Sequence, residues 1–418
     1  MELPQTLANL KSPSGEQQRR STVNPRSGSE ILMASDVIDT LAALVRINSV
    51  NSAYEDGPGE REIATWIFDF FERRGIEVRE QEVFAGRPNV IARVPGRDPT
   101  RRIILEAHMD TVSAKGMTVP PFEPRIENGK LHGRGSCDTK AGLAAMMHAL
   151  AALHAERRRP PCDVWLAAVV DEEHSFRGVV ELCEGLTADA AIVAEPTQMR
   201  VVVASKGVLR WRIIVRGRAA HSSKPHLGVN AITHMARVVL AIDEEHRRLA
   251  STSHPLLGPA TCNVGLIHGG RQVNFVPDEC AIVIDRRLLP GESADAVLAG
   301  YQSLLTALAA SHRDLDAVME PPMLIDDALE TPSDSAPARL ASELLSEMGL
   351  DGTPAGVPFG SDASKLSRQG VPSLIIGPGS IDQAHAAVEY VEIDQVEKAF
   401  SFYREFILRF DPPTWNHP

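Results

Sequence analysis

The feature that most constrains the fold of this chain is a repeated alternation of short, wholly apolar segments with longer amphipathic ones. Apolar runs of strand length, such as 103–105, recur between segments with a helical period, such as 139–156, in which Leu143 and Met147 fall on one face. Strands that are apolar on both faces need helices on both faces. The sequence therefore predicts an α/β fold with a mainly parallel sheet flanked by helices.

The alternation divides the chain into segments of different character. Residues 1–34 are polar and without a period, and we expect a disordered tail there. Residues 206–316 have a different pattern of predicted secondary structure, with longer strands and only two helices. This pattern is typical of a small inserted α+β domain. Residues 35–205 and 317–418 then form one discontinuous catalytic domain. Further strands are predicted at 164–170, 190–194, 208–215, 261–268, 279–286 and 374–376, and further helices at 58–74, 229–248, 293–311 and 392–409.

Side chains that bind metals or transfer protons follow four of the predicted strands, at the point where each strand ends. In open α/β sheets the carboxyl ends of the strands converge on one crevice, so we expect these side chains to meet there. They are His108 and Asp110 after the first strand, Asp171, Glu172 and Glu173 after the second, Glu195 after the third and His385 after the fourth, with Asp138 at the start of the helix 139–156.

The residue types in this set suit a pair of zinc ions. Zinc binds His nitrogen and carboxylate oxygen, and two zinc ions about 3.5–4 Å apart need a carboxylate that bridges them. The single residue between His108 and Asp110 would let Asp110 accept the second ring N–H of His108 and fix the ring. Neighbours on an extended backbone point to opposite sides, so one of Glu172 and Glu173 could bind metal while the other faces a water.

Each of these signals alone has a simpler interpretation. His108-x-Asp110 could be a surface turn, and Glu172-Glu173 could be a solvated charge pair. The glycine-rich stretch 133–138 could be a plain turn, and it lacks the ending of a phosphate-binding loop. We find no positioned base for Cys137 and expect it to pack in the core. The metal-site hypothesis depends on all the signals falling, in order, at strand ends.

Longer stretches around these residues resemble one family. They are LEAHMDTV, LHGRGSCDTKAGLAAM, VVDEEHSFRG, VAEPT, RGRAAHSSKPHLGVNAI, VNFVPDECAIVIDRRLLPGE, FGSDASKL and GPGSIDQAHAAVEYVEI. As an ordered set they resemble the co-catalytic dizinc metallopeptidases and deacylases that include acetylornithine deacetylase, succinyl-diaminopimelate desuccinylase, aminoacylase and glutamate carboxypeptidase. The resemblance covers about residues 36–412.

The resemblance implies a zinc-dependent hydrolase of amide bonds, in which 206–316 is a lid and dimerisation domain of a homodimer. It implies that Glu172 is the general base and that His221 reaches an active site, usually the partner subunit's, to stabilise the oxyanion. The resemblance also implies that His108 and Glu195 bind one zinc ion, that Glu173 and His385 bind the other, and that Asp138 bridges the two. It implies that Asp110 orients His108. Asn274 and Arg287 are implied to contact a substrate carboxylate, and the loops at Ser361 and Gly379 to line the pocket.

Three functions remain open from the sequence. The first is hydrolysis of an N-acyl amino acid, with acetylornithine deacetylase as the leading model. The second is a dipeptidase or carboxypeptidase with the same site, and the third is a non-catalytic, metal-binding dimeric scaffold, which the loss of a ligand would favour. Strict succinyl-diaminopimelate desuccinylases usually carry Arg-Arg-Gly-Ser-Leu where this chain has residues 205–209, Ser-Lys-Gly-Val-Leu. The expected cofactors are two Zn²⁺, which Co²⁺ or Mn²⁺ could replace.

Charge and cysteine content limit the partners and the cellular compartment that we expect for this chain. The net charge is −12, which disfavours nucleic acid as a partner and leaves a small molecule as the expected one. No apolar run approaches the roughly 18 residues of a membrane-spanning helix. The five cysteines are odd in number and contain no C-x-x-C pair, so a reducing, cytoplasmic setting is expected.

Overall fold

A computed structural model describes residues 34–412, and within them helices and strands alternate as predicted. The helices are α1 (Ala34–Arg46), α2 (Arg61–Glu72), α3 (Lys140–Ala155), α4 (Arg177–Leu182), α5 (Ala231–Leu249), α6 (Ala294–Ser311), α7 (Ala336–Glu347), α8 (Ala363–Arg368) and α9 (Ile393–Arg409). The strands are β1 (Glu77–Phe84), β2 (Arg87–Val94), β3 (Asp98–His108), β4 (Arg125–Glu127), β5 (Lys130–His132), β6 (Cys162–Val169), β7 (Ala190–Val193), β8 (Val202–Ser205), β9 (Gly207–Arg216), β10 (Ser253–His254), β11 (Gly258–Pro259), β12 (Thr261–Gly269), β13 (Glu279–Leu288), β14 (Asp316–Met319), β15 (Leu324–Asp326), β16 (Leu329–Glu330), β17 (Ala355–Val357), β18 (Ser373–Ile375) and β19 (Tyr390–Glu392).

The larger sheet has the strand order β1-β2-β6-β3-β7-β18-β8-β16, with β17 paired to β8. Its central strands β6, β3, β7 and β18 are parallel neighbours, whereas the pairs β1–β2, β2–β6, β18–β8 and β16–β8 are antiparallel. The α/β class is confirmed, but the sheet is mixed and is parallel mainly at its centre. One reason is the tight β1–β2 hairpin, because a hairpin joins antiparallel strands whereas parallel strands need a crossover.

Helices cover both faces of the larger sheet. Helices α1, α2, α3, α7 and α9 pack on one face, and α4 and α8 pack on the other. Every residue of α3 from Lys140 to Leu153 is buried, since this helix packs on β3 and is covered by α1 and α9. Its Ala, Leu and Met residues are strong helix formers and leave no polar face for solvent. The segment that leads into α3, which carries Asp138, is therefore held firmly against the sheet.

A smaller antiparallel sheet has the order β12-β13-β9-β14, with β15 also paired to β9. Helices α5 and α6 pack on one face, against side chains of β9 that include Leu209 and Trp211. Alternation along the strand places Val208 and Arg210 on the opposite face. Strands β14 and β15 extend this sheet to Asp326. The predicted domain limits 206–316 stay a prediction.

Two short chain segments join the two sheets and lie side by side. Lys206 alone separates β8 from β9, and residues 327–328 separate β15 from β16. On either side of these segments the strands are paired, Asp326 with Val208 and Leu329 with Ser205. The sheets are thus linked by a two-stranded connection.

In the described part of the chain, no helix has both the length and the apolar character needed to cross a membrane. Residues 1–33, which make up almost all of the predicted disordered tail, lie outside the described residues.

Candidate active site

The candidate active site lies at the carboxyl edge of the four central parallel strands. His108 is the last residue of β3, and the segments that follow β6, β7 and β18 carry Glu173, Glu195 and His385. Because β6, β3, β7 and β18 are neighbours, the ends of all four strands open onto one crevice. The N-terminus of α3 adds Asp138. The structure therefore brings the five predicted metal-binding side chains together.

Asp138 lies between two histidines, with one carboxylate oxygen toward each. Its Oδ1 is 3.0 Å from Nε2 of His108, and its Oδ2 is 3.3 Å from Nε2 of His385. Nε2 of His385 is also 2.9 Å from Oε1 of Glu173. This is the placement that a carboxylate bridging two cations requires.

The ligand atoms form two overlapping groups, each with all its atoms within 4.8 Å of one another. One group is His108, Asp138 and Glu195, and the other is Asp138, Glu173 and His385. The carboxylate of Glu195 makes no side-chain hydrogen bond among the described residues, although it is only 5% exposed. Imidazole nitrogen and carboxylate oxygen are donors that zinc, cobalt and manganese accept. The residues present therefore fit divalent cations; a count of two stays a prediction.

The crevice concentrates negative charge. Burial, and then the neighbouring carboxylates Asp138 and Glu172, raise the pKa of Glu195 well above its usual range. Burial likewise raises the pKa of Glu172, against the opposing effect of His108. Hydrogen bonds to Asp138 and Glu173 raise the pKa of His385 to about 10. The raised pKa values of Glu172, Glu195 and His385 all indicate a site that favours added positive charge, which bound cations would supply.

Glu172 lies beside the ligands. One oxygen of Glu172 falls within 4.8 Å of ligand atoms of His108 and Glu173, and Glu172 also lines the cleft. The side chain can thus reach a water held between the ligand groups and a substrate in the cleft. Its predicted role as general base has this geometric support and stays a prediction.

Asp110 presents both its main chain and its side chain to the site. Nδ1 of His108 is 3.0 Å from the main-chain oxygen of Asp110, and the carboxylate Oδ1 is farther away, at 3.6 Å. The carboxylate instead accepts hydrogen bonds from Nδ2 of Asn51 at 2.7 Å and from the main-chain N–H groups of Glu172 and Glu173 at 3.2 and 3.1 Å. The group of Asp110 nearest the His108 ring is therefore its carbonyl, and its carboxylate accepts from the backbone of the two glutamates. A role of Asp110 in orienting His108 stays a prediction.

Two buried ionic networks that the sequence did not reveal hold the crevice in shape. In one, Arg87 donates to Glu60 at 2.5 Å and to Asp171 at 3.0 Å, and Asp171 has a left-handed φ of 69°. Asp171 directly precedes the two glutamates, so this network holds a strained turn where they begin. Glu60, Arg87 and Asp171 lie in separate segments of the chain, so only the folded structure shows that they are in contact.

The other network holds the segment that carries Asp138. Glu389 accepts hydrogen bonds from the main-chain N–H groups of Cys137 and Asp138, at 3.0 and 3.1 Å, and from Nη1 of Arg134 at 2.6 Å. All of these side chains are buried. The sulfur of Cys137 contacts the main-chain oxygen of Ser380, which agrees with a packing role.

Glu106 is a further acid of the site that the sequence reasoning missed. It lies on β3 two residues before His108 and is fully buried. Burial, and then the carboxylate of Asp362, raise its pKa well above the usual range. A charged residue inside an otherwise apolar strand is a signal that could have drawn attention to it.

A cleft of about 200 Å³ separates the metal-binding edge from the smaller sheet. Of the predicted substrate residues, Arg287 lines it, while its neighbour Arg286 faces the interior of the smaller domain and pairs with Glu292 at 2.6 Å. The two adjacent arginines therefore point to opposite sides, as expected for a strand. The residues around the cleft are Asp138, Glu172, Glu173, His174, Phe176, Glu195, Val208, Arg210, Arg287, Leu324, Asp326, Phe359, Gly360, Ile381 and His385.

The predicted catalytic residue His221 and the other predicted substrate residues do not line the cleft of this single chain. His221 and Asn274 are exposed, and Nδ1 of His221 lies 2.7 Å from Oγ of Ser223. Ser361 and Gly379 are buried behind the cleft wall, whereas other residues of their loops line it. Ser361 and Gly379 thus lie one layer behind the cleft surface, and the pocket-lining role of their loops stays a prediction.

Comparisons with known proteins agree with this geometry. The family model described as peptidase family M20/M25/M40 matches residues 104–409. A probable succinyl-diaminopimelate desuccinylase of Staphylococcus aureus is 26% identical over 89% of this chain and 97% of its own. An acetylornithine deacetylase of Myxococcus xanthus is 30% identical over 74% of this chain and 80% of its own.

Among solved structures, aminopeptidase PepT of Bacillus cereus has the same fold. It superposes with a TM-score of 0.75 at 23% identity, covering 90% of this chain and 98% of that one. The family match spans the strands and loops that carry the candidate ligands. The chain therefore belongs to the peptidase family M20/M25/M40 and is an amide-bond hydrolase.

Proposed function

We propose that the chain removes an acyl group from the nitrogen of a small amino acid, by two-metal hydrolysis of the amide, in the manner of an acetylornithine deacetylase. The observation that carries this proposal is Asp138, which faces His108 with one oxygen and His385 with the other, at 3.0 and 3.3 Å. The relatives named acetylornithine deacetylase and desuccinylase support an acyl amino acid as substrate.

The proposed ligands divide into two sets that share Asp138. His108 and Glu195 would hold one divalent cation, Glu173 and His385 the other. Two cations bring four positive charges against three carboxylates and so offset the repulsion in the crevice. Zn²⁺ is the proposed metal, and Co²⁺ or Mn²⁺ could occupy the same donors.

When bound, such cations polarise the scissile carbonyl and lower the pKa of the attacking water. Glu172 takes the proton from that water and returns it to the leaving amine nitrogen. Burial raises the pKa of Glu172, which suits a carboxyl group that must hold a proton between these two steps. Arg287, on the opposite wall of the cleft, would hold the carboxylate of the amino acid.

We also propose a homodimer in which residues 206–316 serve as lid and contact surface. The edge strand β12 leaves Leu266 and Ile267 more than half exposed, as expected where a second copy pairs with an edge. A second copy could also bring His221 and Asn274, which lie outside the cleft of one chain, to the site. Light scattering should give twice the mass of one chain; a monomer that retains full activity would contradict this.

Two other substrates remain as alternatives. The desuccinylase reading is weakened because residues 205–209 lack the Arg-Arg-Gly-Ser-Leu stretch. The dipeptidase or carboxypeptidase reading uses the same site and draws support from the fold shared with an aminopeptidase. A non-catalytic scaffold is disfavoured, because all five ligands and Glu172 are present and close together. The five cysteines form no disulfide, which supports a cytoplasmic enzyme of amino-acid metabolism.

The test is release of free amine from acetyl-ornithine, succinyl-diaminopimelate and a set of dipeptides, with added zinc or cobalt. We expect metal-dependent turnover that a chelator abolishes, with the highest kcat/KM on an N-acyl amino acid. Higher kcat/KM on the dipeptides would replace the deacylase proposal with the peptidase one. No turnover of any amide by metal-loaded protein would support the scaffold.

A further inference from the structure

Two guanidinium groups face the metal-binding edge across the cleft. Arg210 on β9 and Arg287 on β13 both line the cleft, and their strands are antiparallel neighbours. Arg287 is paired with Val208 and Arg210 with Asp285, so the three charged side chains lie on one face of the smaller sheet. Arg210 belongs to no motif that the sequence analysis singled out.

A single carboxylate is shared between these two arginines. Asp285 accepts from Nε of Arg210 through Oδ2 and from Nε of Arg287 through Oδ1, each at 2.7 Å. Among the described residues, neither guanidinium has another acidic partner. This wall of the cleft therefore carries one positive charge that no acidic side chain among residues 34–412 neutralises. The terminal N–H donors of both guanidinium groups are left for a ligand.

Apart from the carboxylates of the opposite, metal-binding edge, the other acidic residue of the cleft does not change this balance. Asp326 also lines the cleft, but its Oδ1 accepts from the ammonium group of Lys365 at 2.6 Å. Phe176, Leu324 and Phe359 make the intervening surface apolar. An anionic group of the substrate would meet few competing ions there, and Arg210 remains accessible, with 46% of its side chain exposed.

One guanidinium suffices for the carboxylate of an amino acid, because a planar fork of donors matches one carboxylate. The proposed function uses Arg287 for that purpose. Arg210 then has no task toward a substrate with a single acidic group. A second arginine on the same wall is accounted for if the substrate carries a second carboxylate.

We infer that Arg210 is a specificity-determining residue and that the substrate is an N-acyl amino acid with two carboxylates. This inference rests on the proposed function and narrows its substrate class. The second acid could belong to the amino acid, as in an N-acyl glutamate, or to the acyl group, as in a succinyl amide. Both offer the same carboxylate chemistry to Arg210.

The experiment compares matched acidic and neutral substrates in the wild type and in Arg210→Gln. N-acetyl-glutamate against N-acetyl-glutamine tests an acid on the amino acid, and N-succinyl-alanine against N-butanoyl-alanine tests an acid on the acyl group. In one of the two pairs, the wild type should have a higher kcat/KM for the acidic substrate than for the neutral one. Arg210→Gln should lower kcat/KM for that acid about 10- to 100-fold, as for loss of a charge-assisted hydrogen bond. For the neutral substrate of the same pair, Arg210→Gln should change kcat/KM less than about threefold, because the exposed Arg210–Asp285 ion pair that it also removes contributes little energy.

Arg212→Gln is the matched control. Arg212 lies on the same face of β9, is 39% exposed and contacts Glu320 at 3.5 Å, but it does not line the cleft. This variant should leave the acid preference unchanged. Arg210→Lys should restore only part of it, since an ammonium group lacks the planar fork.

Binding of products and product analogues separates failure of this inference from failure of the proposed function. By calorimetry, zinc-loaded protein should bind glutarate or succinate more tightly than butyrate, and Arg210→Gln should remove the difference. Equal effects of Arg210→Gln on both members of each pair, or no dicarboxylate preference in binding, would overturn the inference. If no acyl amino acid is hydrolysed, the proposed function fails, and the binding arm still decides the role of Arg210.

Discussion

His148, far from the cleft, should make the stability of this protein depend on pH. The side chain lies on α3, is 1% exposed, and its Nε2 is 2.7 Å from Oγ1 of Thr40 on α1. The ring also packs against that of Phe70 on α2, with centroids 5.4 Å apart. Burial, and then the charge of Arg74, lower the pKa of His148 to about 4. The folded state therefore holds a neutral imidazole where three helices meet.

The sign and size of the effect follow from the two pKa values. In the unfolded chain His148 titrates near its ordinary pKa of about 6.5, so the unfolded state binds the proton first as the pH falls. The stability that His148 contributes is complete above about pH 7 and is lost between about pH 6.5 and 4. The loss in the free energy of unfolding is about 2 kcal/mol at pH 5 and about 3 kcal/mol at pH 4.

The assay is urea denaturation followed by circular dichroism at pH 7.5, 6 and 5, with a chelator present so that metal binding does not contribute. His148→Gln keeps an amide that can bond to Thr40 but does not titrate. The difference in unfolding free energy between wild type and variant should shrink by about 2 kcal/mol from pH 7.5 to 5. His154→Gln, at an exposed site on the same helix, is the control and should run parallel to wild type. If the unfolding free energy of His148→Gln fell with pH as much as that of the wild type, the reasoning would be refuted.

Three further substitutions test the site. Glu172→Gln should retain the bound metal, measured by plasma mass spectrometry, and lower kcat by about 10²–10⁴; a variant with near-normal kcat would remove Glu172 from the base role. His221→Ala should lower kcat by about 10²–10³ at unchanged metal content, and an unaltered kcat would exclude His221 from the oxyanion. Gly379→Ala should cost about 1–3 kcal/mol more in unfolding free energy than Gly370→Ala. Both glycines have a left-handed φ, but of the two only Gly379 would place the new Cβ against a side chain, 2.5 Å from Sγ of Cys137. An equal loss of unfolding free energy in the two variants would contradict this expectation.

The central part of the site could be predicted because its residues follow a rule of the fold. His108, Glu173 and Glu195 stand just beyond apolar runs, and the last run leads to His385 through a glycine-rich loop; parallel strands direct such positions to one edge. Local sequence therefore carries the information, and the structure does bring the four side chains together. The edge strands could not be predicted in the same way, since hairpin and crossover connections give similar apolar patterns.

The supporting interactions were beyond the reach of the sequence. Glu389 and Arg134 are far apart along the chain, and so are Glu60 and Arg87; each looks like an ordinary surface charge until the fold buries it. No periodicity or spacing predicts such pairs. His221 is a different case, and its role stays a prediction: the resemblance implies the role, but the position of His221 relative to a cleft depends on the arrangement of the smaller domain and of a second copy.

The double crossing between the two sheets restricts how the cleft can open. At this crossing a Cβ on Gly207 would lie 2.5 Å from the main-chain oxygen of Asp326, so only glycine lets the two segments run this close. A paired ribbon bends across its flat face but resists sliding in its plane, because sliding would break the bonds between its strands. We therefore expect the smaller domain to swing about a single axis. Each swing would return Arg210 and Arg287 to the same position opposite Asp138.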